Sequence, residues 1–394
     1  MKLRSWIFAG AVVVVMPLAA LSAADWGGAA QAPVPGLTRA PAAKSDARFS
    51  VVTVASGLDH PWGLQFLPDG RMLVTERVGR LRLVTGKGRL SPPVAGVPDV
   101  LTNSGQAGLF DVVLDPGFAQ NHILYVAYFE RRPRGQGLSV ARAKLEDSAQ
   151  PSLTGLKIIF RAKPETGPAI NLGGRLVANK DGTLFVTVGD RFTERDKAQD
   201  LSADNGKIVR INSDGSIPND NPFVSRKGAR AEIWTLGHRN PEGLAIRPSD
   251  GSLWDVEHGA KGGDEINLIK PGHNYGWPVI TYGVDYSGEK IGIGTSKPGM
   301  DQPVYYWDPS IAPSGMAFYT GNLFPQWKGN LFIGALKFKS VRRLVMRADK
   351  VVGEETLLGD LGERIRDIRQ GPDGALYILT DNTNGRILKL IPKA

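Results

Sequence analysis

The 394-residue chain contains no cysteine, so nothing in it can form a disulfide, a thiolate metal ligand or a thiol nucleophile. Histidine is scarce too: His60, His122, His238, His258 and His273 show no zinc-ligand spacing. No G-x-S-x-G stretch occurs, which argues against a serine hydrolase built on a nucleophile elbow. After the first residues no apolar run is long enough to cross a bilayer, and helical periodicity is weak everywhere. The formal charge is +9, yet the one tight basic run is RRPR, Arg131 to Arg134. It has no interleaved aromatics and leads into glycines, the pattern of a solvated loop and not of a nucleic-acid surface.

The opening residues, MKLRSWIFAGAVVVVMPLAALSAAD, combine Lys2 and Arg4 with an apolar run from Trp6 to Leu21 and small residues at Ser22, Ala23 and Ala24. That order predicts a secretory signal peptide over residues 1–24 and hence a periplasmic protein with no membrane span after cleavage. An uncleaved anchor is the alternative, disfavoured by the shortness of the run. Cleavage would lower the charge to about +7, compatible with an anionic ligand. Residues 25–48 are rich in Ala, Pro and Gly without periodicity and predict a flexible lead, followed by one ordered domain over 49–394.

Within that domain one pattern returns: an apolar strand, a turn carrying Gly or Asn, then Leu with aromatic or branched residues. It reads GLQFLPDGRMLVTE from Gly63, DVVLDPGFAQNHILYVAY from Asp111, RLVANKDGTLFVTV from Arg175, GLAIRPSDGSLWDV from Gly243, GMAFYTGNLFPQWKGNLFIG from Gly315 and DIRQGPDGALYILT from Asp367. Further strands follow several copies, as in GRLRLV, GKIVRI and GRILKL. The leucine after each turn falls at Leu73, Leu124, Leu184, Leu253, Leu331 and Leu376, a variable repeat whose excess lies in loops. Six such units predict an all-β fold, a six-bladed β-propeller of four-stranded antiparallel blades. A two-domain β-sandwich would leave the sixfold repetition unexplained.

Propellers bind ligands at the mouth of the central channel, so charged residues next to the repeated strands are candidates. Arg364 and Arg366 in ERIRDI are two apart, which on a strand puts both on one side, suited to a ligand with two carboxylates. A solvent-facing strand would read the same way. Lys337 interrupts FIGALKF and could add a third cation, and Arg239 and Asn240 in GHRNPEGL precede a proline turn into a repeated strand. EHGAKGGDEINL, Glu257 to Leu268, mixes glycine turns with Asp264 and Glu265, a combination of carbonyls and carboxylates that calcium accepts. NSDGSIPNDNPF, from Asn212, lacks the closing Glu of a calcium loop and reads as an Asx-rich hairpin. In AINLGGRLVANKDGTLFVTVGDRF, Gly173 and Gly174 would let backbone approach a flat ligand, and Asp190 ends a strand.

Together these loops resemble those of the glucose/sorbosone dehydrogenases, soluble quinoproteins that include aldose sugar dehydrogenases using pyrroloquinoline quinone (PQQ) and calcium. The likeness runs from about Gly57 to Leu390. It rests on LDHPWGLQFLPDGRMLVTER, GQAGLFDVVLDPGF, GGRL with GDR, GHRNPEGL, HGAKGGDEINLI with HNYGWP, APSGMAF, and RIRDI with GPDGALYILTD. The resemblance implies a propeller holding PQQ through Lys337, Arg364 and Arg366, with Gln106, Arg239 and Asn240 alongside. It implies calcium on the backbone carbonyls of Gly259 and Ala260, with Glu265 and Tyr275 at further positions linked to calcium. Ala260 replaces the proline frequent there. The implied substrate is a sugar or related alcohol; the electron acceptor, a quinone or a cytochrome, is not named by the sequence.

One position departs from the family pattern. Where the motif carries the histidine that takes the hydroxyl proton, this chain reads Asn171, Leu172, Gly173, Gly174, Arg175, Leu176. An amide orients a hydroxyl but cannot take its proton near neutral pH. Asp190 keeps its place and could act as base directly or through water, with Arg239 near the quinone stabilising charge as hydride arrives. Two readings follow: a PQQ- and calcium-dependent dehydrogenase whose catalytic set is Asn171, Asp190 and Arg239, or a propeller that binds PQQ or sugar with little or no turnover. A calcium lactonase would want a carboxylate-rich channel, which the Lys and Arg set opposes.

Overall fold

The computed structural model describes residues 34–393; the expected signal peptide over 1–24 lies outside them. Each of the six repeats folds as the first two strands of an antiparallel sheet, and the six sheets form a closed ring. The six first strands are Pro61–Phe66, Leu109–Leu114, Gly173–Ala178, Pro241–Ile246, Pro313–Phe318 and Ile365–Gln370, and each touches the next around the channel. The chain is a six-bladed β-propeller.

The local chemistry of the repeat is visible in its turns. Gly70, Gly182, Gly251 and Gly374 all take φ between +76° and +84°, and the aspartate before each accepts a hydrogen bond from the residue just after the glycine. Aspartate caps the turn and glycine adopts the left-handed backbone at little cost, so the two strands leave antiparallel.

Five blades have four strands. In the blade that begins at Pro61–Phe66 the third strand, Arg80–Val84, pairs with Met72–Glu76 on its inner side and has no regular strand on its outer side. Residues 90–94 run beside it instead, joined by a Val84–Leu90 bridge and by bonds from Ser91 N to Leu83 O and Val94 N to Leu81 O. The last blade is completed from the other end of the chain, where Phe49–Leu58 pairs with Gly385–Pro392. Two chain ends locked in one sheet close the ring, so no edge is left between first and last blade.

Apolar side chains fill the spaces between blades, as where Trp254, Val256 and Ile266 pack against Met316, Ile333 and Leu344. The channel itself is filled by charge. Arg175, 1% exposed, reaches Asp111 at 3.3 Å and Asp367 at 3.2 Å, donates to the Glu242 carbonyl and covers the Trp62 ring at 4.3 Å. Arg369 adds contacts to the same two aspartates. Those carboxylates also accept from the backbone of neighbouring blades, Asp111 from Leu176 N and Asp367 from Leu64 N. Gly63 and Gly315 stand where a Cβ would strike Asp111 and Asp367, so in these two places the glycine that opens one repeat makes room for the aspartate that opens the next. Arg175→Ala should leave two buried carboxylates short of a partner and lower unfolding free energy by roughly 3–5 kcal/mol. Chemical denaturation measures this, and an unchanged midpoint would refute the hub.

Two expectations need correction. Residues 34–48, read as part of a flexible lead, are docked on the outside of two blades: Ala40 N and Ser45 N donate to Tyr305 Oη and Glu355, and Ala43 N to the Glu354 carbonyl. Outer strands offer unpaired edge groups that composition does not reveal. Within RRPR, Arg132 is buried, donating to the Ala162 and Leu138 carbonyls and to Glu130. The strand Ile123–Arg132 runs into that segment, so it is not wholly a solvated loop.

Candidate functional site

At one end of the channel three cavities share walls. The first, about 270 Å³, is lined by His60, Trp62, Gln106, Gly173, His258, Ala312, Arg364 and Arg366, among others. The second, about 310 Å³, shares His258 and Ala312 with it and adds Gly259, Ala260, Ser310 and Lys337. The third, about 330 Å³, meets the second at Ala260 and Tyr286 and reaches Asp190, Phe192, Arg195, Arg239, Trp277 and Asp285.

Arg364 and Arg366 come together, though by a different route from the one expected. The strand begins at Ile365, so Arg364 precedes it, and both guanidiniums converge on Asp381 Oδ2 at 3.1 and 3.2 Å. Arg366 also contacts Glu242 at 2.5 Å and is 8% exposed, whereas Arg364 is exposed. Burial would raise the Glu242 carboxyl, but Arg366 and then His258 draw it well below the usual carboxylate range. Asp381 follows the same logic, with Arg366 and His60 overcoming burial. Lys337, exposed, lies on the neighbouring cavity wall.

Asn171 joins two of these walls. Its backbone N donates to Gln106 Oε1 at 2.8 Å, and its side-chain Nδ2 donates to Asp190 Oδ1 at 2.9 Å. The residue is 5% exposed and has φ +52°, a conformation that asparagine and histidine enter more readily than most residues. Asp190 also accepts from Phe192 N at 2.7 Å and from the Trp277 indole at 2.8 Å. Burial raises the Asp190 carboxyl above its ordinary value, opposed by the charge of Arg239 and by these donors.

The loop from His258 to Asp264 is held by carboxylates on either side. Asp264 accepts from Gly259 N and from Ser310 Oγ, Ile311 N and Ala312 N, tying the loop to the next blade. Glu257 accepts from Arg239 N at 2.6 Å and contacts His238 Nδ1 at 3.0 Å. Arg239 in turn donates to the Gly259 carbonyl and stands 5.4 Å from the Trp277 ring centre. Asn240, 1% exposed, receives Gly173 N and donates to Glu242, so it acts within the frame and not on a cavity wall.

The four expected metal positions fall into two groups. Gly259 and Ala260 line the second and third cavities. Glu265 lies opposite Glu257 in the sheet, beside a cluster in which ligand atoms of His238, Asp255 and Glu257 are within 4.8 Å of one another. Both Asp255 oxygens are buried and short of hydrogen bonds, with His238 Nδ1 3.5 Å from Oδ2. Burial, and next the Glu257 charge, push the Asp255 and Glu265 carboxyls well up. The Tyr275 ring stacks on His238, while its hydroxyl donates to the Leu268 carbonyl and accepts from Lys270 N.

The sequence motifs contained partners that carried no assigned role: Glu242 in GHRNPEGL, Asp381 in ALYILTD, His60 and Trp62 in DHPWG, and Trp277 in HNYGWP. Phe192 and Tyr286 had no signal beyond being aromatic residues in loops.

A propeller that gathers fixed cations, buried carboxylates and backbone carbonyls at one channel mouth is built to hold a small polar ligand. The chain belongs to the Glucose / Sorbosone dehydrogenase family, whose model matches residues 58–389. It is similar to aldose sugar dehydrogenase YliI of Escherichia coli, 48% identical over 352 residues that cover 88% of this chain and 94% of that protein. The apo structure of the soluble E. coli aldose sugar dehydrogenase superposes with a TM-score of 0.84 at 46% identity, covering 88% of this chain and all of the other. A PQQ-bound aldose sugar dehydrogenase from Streptomyces coelicolor matches with a TM-score of 0.72 at 28% identity, covering 88% and 99% of the two chains. Among the described residues no helix is long and apolar enough to cross a membrane.

Proposed function

We propose that the protein is a periplasmic PQQ- and calcium-dependent dehydrogenase that oxidises aldose sugars, or related alcohols, to lactones or carbonyl products. One observation carries this reading: the Arg364–Arg366 cavity continues past the carbonyl loop into the cavity floored by Asp190 and Arg239. The donor set fits the cofactors. Arg364, Arg366 and Lys337 would hold PQQ carboxylates with Gln106 beside them, and the Gly259 and Ala260 carbonyls suit a hard cation that takes the place of the Arg239 guanidinium on the Gly259 oxygen. The buried Asp255 carboxylate, short of hydrogen bonds beside Glu257 and Glu265, suits a second. The N-terminal pattern of Lys2, Arg4, apolar run and small residues supports export.

When bound, PQQ supplies a two-electron acceptor and calcium a Lewis acid at its carbonyl. The chain's own part is to orient the substrate hydroxyl and receive its proton. Asp190, directly or through a water, takes that proton, Asn171 and Trp277 fix the carboxylate, and Arg239 offsets the charge gathering at the acceptor. A second reading, a PQQ- or sugar-binding propeller with little turnover, is favoured by the amide at Asn171.

Thermal shift and dye reduction separate the two. PQQ and calcium supplied together should raise the melting temperature, equivalent to about 2.7 kcal/mol at a hundredfold excess over the dissociation constant. Equal melting temperatures with and without saturating PQQ and calcium would sink the quinoprotein reading. A shift without sugar-dependent dye reduction would select the binding propeller.

A further inference from the structure

The third cavity carries a feature that the cofactor reading leaves unused. Phe192 and Tyr286 are 40% and 51% exposed, and their ring centres are 6.2 Å apart at 34°. Two rings must stand about 7 Å apart to admit a third body between their faces, since each carbon contact takes about 3.5 Å. Nothing slides between these two, and both line the same cavity, so a ligand there meets them from the cavity side as a shared apolar surface.

That surface is held in place from both sides. Arg191 and Phe192 have φ of +65° and +62°, two successive non-glycine residues in the left-handed region, and Phe192 N is anchored on Asp190 Oδ1. Such strain persists where surrounding contacts over-determine it, and it commonly marks ligand-facing turns. Tyr286 tips a hairpin in which Val284 bridges Lys290 and, through Lys261, the carbonyl loop itself. Asp285, one residue earlier, meets Arg195 at 3.1 Å, so an ion pair spans the cavity rim beside the ring pair.

The cavity thus has a carboxylate and a guanidinium at its floor, an aromatic wall, and donors and acceptors along the rim at Thr193, Arg195 and Asp285. An apolar face bordered by paired polar groups matches a pyranose, whose ring hydrogens form an apolar face edged by hydroxyls. We propose that Phe192 and Tyr286 form the stacking platform for the sugar ring and so select pyranoses over open-chain alcohols. This rests on the dehydrogenase reading and names the substrate class of that site.

The test uses the PQQ- and calcium-loaded protein with Phe192→Ala, Tyr286→Ala and Tyr286→Phe. Each alanine variant should raise the KM for an aldopyranose about tenfold, equivalent to about 1.4 kcal/mol, with the smaller part of the loss in kcat. Tyr286→Phe should stay near wild type, and PQQ affinity by titration should not move. Calorimetric binding of an aldonolactone should weaken in parallel. Unchanged KM and lactone affinity in both alanine variants, or PQQ affinity falling in step with them, overturns the platform. If wild type oxidises no sugar yet binds the lactone, and the variants lose that binding, the platform stands and the catalytic reading falls. If wild type binds no lactone, the platform falls too.

Discussion

Asn171→His should raise aldose oxidation at least about tenfold, toward the range of about 10² to 10⁴ that general-base catalysis can supply. In the wild type the amide Nδ2 donates to Asp190 Oδ1, the bond an imidazole N–H would make. The amide therefore reproduces the orienting half of a histidine and lacks the basic half, because its oxygen holds no proton near neutral pH. The backbone at φ +52° accepts histidine as it does asparagine, so the exchange adds little strain. Steady-state dye reduction measures the gain. A wild type already fast, with a slower histidine variant, would show that the amide serves another substrate. Asp190→Asn then identifies the base: activity lost by 10² or more points to the carboxylate, and retained activity removes it from the mechanism. The pH profile gives an independent check. Burial raises the Asp190 carboxyl, so it holds its proton to higher pH than a free aspartate. As base it works only when ionised, so kcat/KM should rise with pH through an apparent pKa above the ordinary aspartate value of 3.8.

The fold was legible because each repeat carries its own instructions. The Asp-Gly turns at Gly70, Gly182, Gly251 and Gly374 make local bonds that a six-residue window contains. The fourth strand of the blade after Pro61 was less legible, since residues 90–94 pair without a regular strand pattern. At the site, spacing brought Arg364 and Arg366 into view but could not show their counterions. Glu242 lies 124 positions from Arg366, and such a pair exists only once the ring closes. The same holds for Trp277 on Asp190, 87 positions away. Charge runs mislead in the opposite direction: Arg132 reads as solvated in RRPR, yet the carbonyls that bury it belong to the next strand, at Leu138, and to Ala162, 30 positions away.

Arg366 and Arg364 should separate when each is replaced by alanine. Arg366→Ala should lower unfolding free energy by roughly 3–5 kcal/mol and abolish PQQ binding, because it takes the guanidinium partner from the mostly buried Glu242 and leaves Asp381 with Arg364 and His60. Arg364→Ala should weaken PQQ binding with little change in stability, since its guanidinium is exposed and Arg366 still faces Asp381. Adding Glu242→Gln to Arg366→Ala removes one stranded charge, so it should recover part of the stability and none of the PQQ affinity. The acid limb of the stability curve tests the same pairs. Both carboxyls are held below their ordinary values of 4.5 and 3.8 in the folded protein, so their contribution is full above about pH 5 and is lost as pH falls through the lowered values. Without Arg366 the folded values should rise, and acid unfolding should begin at higher pH than in wild type. An Arg366→Ala protein as stable as wild type, with the same acid midpoint, would mean that the cavity cations serve the ligand alone and do not hold the two blades together.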